Sequence, residues 1–167
     1  MNRPTSITVF GVLNLVFGVL GLCGVGFSLV SLGMVAPGTN PVYDLMRASP
    51  ILLYWTYASS VLGAIFTVLL IASGIGLLMD KGWGRLLGLA YAGFTILFGL
   101  LGLVMNALFL FPGLMELVDS SSPEVMGGAI GGMVGGVAGG CVGLLYPVVL
   151  IVFMTRKAVV EHFAGQR

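Results

Sequence analysis

The chain has 167 residues, of which 58% are hydrophobic and only 8% charged, with a formal net charge of +1. An ordinary soluble domain carries roughly a quarter charged residues, so there is too little polar side chain here to clothe a water-soluble globule. That composition excludes a soluble enzyme, a nucleic-acid-binding protein and a disordered tail, and it points to an integral membrane protein.

A hydrocarbon core about 30 Å thick is crossed by roughly 20 apolar residues in helix. Four stretches reach that length: residues 7–35, 51–79, 86–111 and 126–154, none holding an Asp, Glu, Lys or Arg. A lone strand in lipid leaves its backbone unsatisfied, and the ten-residue alternation of a β-barrel is missing. The predicted fold is therefore all-α: a single transmembrane domain of four helices in an up-down-up-down bundle.

Span one follows a single charge, Arg3, and its apolar run is about twice the usual length in a cleaved signal peptide. It reads as a retained signal anchor. Asn14 lies about 10 Å inside it by helical rise, and its amide is expected to bridge to another helix. Pro37-Gly38 ends the span. The loop beyond holds Val42-Tyr43-Asp44-Leu45-Met46-Arg47, whose mixed character suits a short helix on the outer leaflet or a docking surface for an outside partner. Ser49-Pro50 opens span two, because proline fits the first helical turn. The turn Asp80-Lys81-Gly82-Trp83-Gly84-Arg85 leads into span three, which carries Thr95 and Asn106. Pro112-Gly113 is expected to stop it. A second mixed loop follows, residues 113–118, and Ser120-Ser121-Ser122-Pro123 introduces span four.

Six of the seven cations (Arg3, Lys81, Arg85, Arg156, Lys157 and Arg167) fall on one side of such a bundle, and only Arg47 on the other. The positive-inside rule then places both termini in the cytoplasm. These cations set topology, and binding of anionic lipid is the functional alternative.

The two halves echo each other. Phe17-Gly18-Val19-Leu20-Gly21-Leu22 returns as Phe98-Gly99-Leu100-Leu101-Gly102-Leu103, and both outer loops run from Pro-Gly to Ser-Pro. This suggests a duplicated hairpin, an arrangement known among transporters. It makes Thr95 the counterpart of Asn14, a second candidate for interhelical polar contact.

Span four is the most unusual. Gly127, Gly128, Gly131, Gly132, Gly135, Gly136, Gly139, Gly140 and Gly143 fill nine of seventeen positions in a four-residue register. In water each would cost a helix about 1 kcal/mol relative to alanine, but in lipid the backbone has no other hydrogen-bond partner and the helix survives. A ridge of small residues allows very close helix packing. The favoured reading is packing within the chain, against span one or three, with Gly18 and Gly21 or Gly84 and Gly88 opposite. An oligomer built on the ridge is the alternative. Tyr146-Pro147 is expected to kink the helix.

Catalytic signals are missing. No span contains an ionisable residue of the kind that marks a proton or ion path. A single histidine, His162, cannot make a zinc site, and no nucleophile stands at a recognisable spacing from a base. The glycine run lacks the GxxxxGK[ST] pattern of a phosphate loop. Cys23 and Cys141 are expected to pack as small apolar thiols. No cofactor and no catalytic residue is expected.

Arg3-Pro4-Thr5-Ser6-Ile7-Thr8-Val9-Phe10-Gly11-Val12-Leu13-Asn14 with Phe17-Gly18, and Gly74-Ile75-Gly76-Leu77-Leu78 with Gly82-Trp83-Gly84-Arg85, resemble a loose group of uncharacterised bacterial four-span membrane proteins. The likeness covers three spans, and the glycine register departs from it. It implies a bacterial inner-membrane setting. The expected function is non-enzymatic, by helix–helix association in the lipid bilayer, as a homo-oligomer or as an accessory subunit beside another membrane protein. The alternative is a small transporter or channel, for a neutral solute or through an inter-protomer pore, with a polar cavity reached by Asn14, Thr95 and the serines of span two.

Overall fold

The computed structural model describes residues 4–120 and 123–164. Arg3 and Arg167, two of the six cations counted on one side, and Ser121-Ser122, before span four, lie outside the described residues. Seven α-helices follow in order: α1 Thr5–Met34, α2 Pro41–Ala48, α3 Pro50–Leu78, α4 Gly82–Met105, α5 Phe111–Ser120, α6 Pro123–Met154 and α7 Lys157–Ala164. No strand occurs among the described residues. Four helical segments, Thr5–Met34, Pro50–Leu78, Gly82–Glu116 and Met126–Met154, are long and apolar enough to cross a membrane. The chain is a multi-pass helical membrane protein.

Span three departs from expectation. Pro112 does not end it. The five residues Asn106–Leu110 widen into a π-helical turn, with the Phe111 N–H reaching back to the Asn106 carbonyl, and the helix continues into α5. A proline ring collides with the carbonyl four residues earlier and offers no N–H. Spreading the turn by one residue absorbs both defects. The Asn106 amide satisfies a backbone carbonyl, donating to Gly102 O at 2.9 Å. Pro147, likewise, sits inside an unbroken α6.

Neighbours follow chain order: α1 packs along α3, α3 along α4, and α4 along α6. Helix α1 meets α6 toward the end that carries the termini, through Phe10–Phe153 and Phe17–Tyr146, with ring centroids 5.0 and 4.6 Å apart. Farther along, residues 19–30 of α1 and 134–143 of α6 are largely exposed.

Each end has its own apolar cluster. At the terminal end Ile7, Leu77, Leu150, Met154, Val159 and Phe163 bring α1, α3, α6 and α7 together. Helix α3 stops there on Asp80, whose φ of 57° is the left-handed conformation. That bend lets Lys81 N–H donate to Gly76 O at 2.8 Å, closing the helix with a bond that spans its last turn. The Asp80 carboxylate then meets His162 of α7 at 2.8 Å.

At the far end Leu52, Leu110, Leu114 and Ala129 form a second cluster under α2 and α5. The first mixed loop of the sequence thus contains a short helix, α2, and the second is taken up by α5, the continuation of span three. Asn40 caps α2, its side-chain oxygen accepting from Val42 N (3.0 Å) and Tyr43 N (3.4 Å). Arg47 ties α2 to the end of α1, donating from Nη2 to Leu32 O and Val35 O at 2.6 Å each. A cation on the last carbonyls of a helix also matches the helix dipole. The order long, short, long recurs in the two halves.

Candidate functional site

Where the helices approach most closely, glycine is the cause, but the seams are α1–α3 and α3–α4. Gly11, Asn14 and Gly18 are spaced by three and four residues and so share one face of α1. A methyl on Gly74 would lie 2.8 Å from Gly11 O, and one on Gly18 2.5 Å from Ile71 Cγ1. A methyl on Gly84 would lie 2.5 Å from Gly76 C. Gly21 faces Thr67, and Gly88 faces Ser73. None of the four glycines expected opposite span four meets a glycine of α6.

The α6 register separates into two rows. Gly132 faces the bundle, with Val42 Cγ2 at 3.2 Å from a methyl placed on it, and Gly140 does so with Leu103 Cδ2 at 3.0 Å. Gly127, Gly131, Gly135, Gly139 and Gly143 form the other row, and nothing in the chain lies within 4 Å of a methyl added at any of them. The same holds for Gly136, and Gly128 is exposed. Packing of the whole register inside the chain is therefore not observed. The reason is geometric: the inward stripe of α6 runs through Ala129, Pro147, Leu150 and Met154, and a helix cannot turn both of two adjacent rows to one neighbour. Ile130, Val134, Val137 and Val142 on α6 are exposed. Cys23 and Cys141 are also exposed, rather than packed in the core.

One buried polar knot ties all four spans. Asn14 of α1 is fully buried. Its Nδ2 donates to Ser73 Oγ of α3 at 2.9 Å, and Ser73 Oγ donates to Gly84 O of α4 at 2.8 Å. The Tyr146 hydroxyl of α6 donates to Asn14 Oδ1. Asn14 thus does make interhelical bonds. Thr95 takes no part in this knot. It lines a hollow between α3 and α4 with Trp55, Ser59, Phe66 and Phe98, and stands beside Tyr91, which in turn neighbours Tyr146. Sequence reasoning missed Tyr146 as a partner, and it treated Ser73 as one hydroxyl among several. The spacing Gly11-Asn14-Gly18, marking a close-packed face around an amide, was the available signal.

The described cations also separate by end. Lys81, Arg85, Arg156 and Lys157 gather at the terminal end, while Arg47 lies at the other. Arg85 donates from Nε to Met154 O at 2.9 Å. Among the described residues no group of three or more His, Cys, Asp or Glu is placed to hold a metal ion. Compared with known proteins, the chain matches no family model, no curated protein and no solved structure.

Proposed function

We propose that this chain is a non-enzymatic bacterial inner-membrane protein, with both termini cytoplasmic, that works by lateral helix–helix association as a homo-oligomer or as an accessory subunit of a membrane complex. The observation that carries the reading is the open row Gly127, Gly131, Gly135, Gly139 and Gly143. Glycine there does nothing for the fold of one chain. It leaves a smooth groove that lipid tails fill less well than another helix does, and close backbone approach is what small residues at four-residue spacing provide in membranes. The exposed outer halves of α1 and α6 leave room for such a helix beside the row. The gathering of cations at the terminal end supports the cytoplasmic assignment.

The test is gentle extraction from native membranes, followed by sizing and identification of what travels with the chain. The expected result is a discrete assembly larger than one chain, either of identical copies or with a second membrane protein. A lone monomer at every detergent strength would overturn the reading.

A further inference from the structure

We infer that the start of α4 is a binding site for the phosphate headgroup of an anionic phospholipid, with Arg85 as its ligand. The site stands apart from the glycine row and does not depend on it. Two hollows flank the Arg85 side chain. One, of about 280 Å³, lies between α4 and α7 against Gly82, Val160 and Phe163. The other, of about 290 Å³, is bordered by Trp83 and Leu86.

The charges around Arg85 leave it free for an anion. The nearby acids are engaged by other residues: Asp80 meets His162 at 2.8 Å and Glu161 meets Lys157 at 3.7 Å. Arg156 stacks over the Phe153 ring at 4.1 Å. Among the described residues no carboxylate lies within ion-pairing distance of Arg85, whose Nε is anchored to Met154 O. A guanidinium held at Nε still presents its two terminal nitrogens, the fork that matches a phosphate.

A lipid rather than a free phosphate is indicated by the walls. Arg85 sits in the first turn of a membrane-crossing helix. Trp83 and Leu86 beside it are 47% and 69% exposed, so the hollow opens where headgroups and the first acyl carbons lie. Tryptophan favours that level, and basic pockets between spans hold acidic headgroups.

The test uses the full chain in neutral detergent, with native mass spectrometry of bound phosphatidylglycerol against phosphatidylcholine. Arg85→Gln removes the ligand. Gly82→Leu fills the hollow and leaves Arg85 in place, and its first side-chain carbon would meet Phe163 at 4.0 Å, an ordinary contact. Lys81→Gln removes a neighbouring exposed charge as a control. The wild-type chain is expected to prefer phosphatidylglycerol, and Arg85→Gln and Gly82→Leu to weaken it roughly tenfold more than Lys81→Gln does. Equal binding of the two lipids, equal loss in Arg85→Gln and Lys81→Gln, or unchanged binding in Gly82→Leu would each overturn the site. Displacement of the lipid by inorganic phosphate at matched concentration would overturn the assignment to a membrane lipid.

Discussion

Replacing Gly84 by Ala and Gly135 by Ala should move stability in opposite directions, although both put one methyl on a glycine of a membrane helix. At Gly84 the new carbon would lie 2.5 Å from both Gly76 C and Leu77 N, where ordinary contact begins at 3.4 Å. Backbone cannot swing aside, so α3 and α4 must part by about 1 Å at that point. Overpacking of this kind costs about 1–3 kcal/mol. The parting also stretches the 2.8 Å bond from Ser73 to Gly84 O, worth about 1 kcal/mol. The helix-propensity gain of alanine over glycine, up to about 1 kcal/mol, offsets part of that. The net loss is roughly 1–3 kcal/mol. At Gly135 nothing lies within 4 Å, so one chain should become no less stable, and up to about 1 kcal/mol more so. The assay is reversible unfolding of the monomer in mixed micelles at increasing dodecyl sulfate fraction. Equal effects of the two substitutions, or a neutral Gly84→Ala, would refute the assignment of the tight seam to α3–α4.

The polar knot and the two ends yield further expectations. Asn14→Leu leaves the Tyr146 hydroxyl buried without its acceptor and should destabilise by about 1–3 kcal/mol; a double-mutant cycle with Tyr146→Phe should give a coupling of about 0.6–1.7 kcal/mol, and zero coupling would show the bond to be idle. Arg47→Gln removes two backbone contacts from the end of α1 and should speed amide exchange near Leu32 and Val35 while leaving Ile7 and Phe10 protected. Cysteine reagents that do not cross the membrane should label single cysteines placed at Ala164 and Thr5 only after the cell is opened, in a chain with Cys23 and Cys141 replaced by alanine; labelling of one terminus in intact cells would contradict the topology proposed here.

The architecture was legible because hydropathy and length act on each span alone. The spans read as 7–35 and 51–79 form α1 and α3 within two residues at each end. Pro112 has the local pattern of a stop yet does not end the helix, because its consequence depends on whether neighbouring turns can widen, and no local pattern states that. The glycine register was visible but its partners were not. A repeat of four says that a face is smooth, and which neighbour sees it is decided by how α6 is rotated around Ala129, Pro147 and Leu150. Asn14 was found as a lone amide in an apolar run. Its bond to Tyr146, 132 positions away, follows from the packing of α1 against α6 and lies beyond any spacing rule.

Energy transfer between labelled copies in native-like bilayers, with and without Gly135→Leu, tests the claim that the outward glycine row seats another helix. A seam along five glycines brings about 20–30 atom pairs into contact, worth roughly 3–5 kcal/mol, so a leucine in its middle should weaken assembly about a hundredfold or more with the fold intact. If an accessory partner fills the row instead, the same variant should lose that partner on extraction. An assembly unchanged in size, composition and energy transfer when Gly135 becomes Leu would contradict the claim.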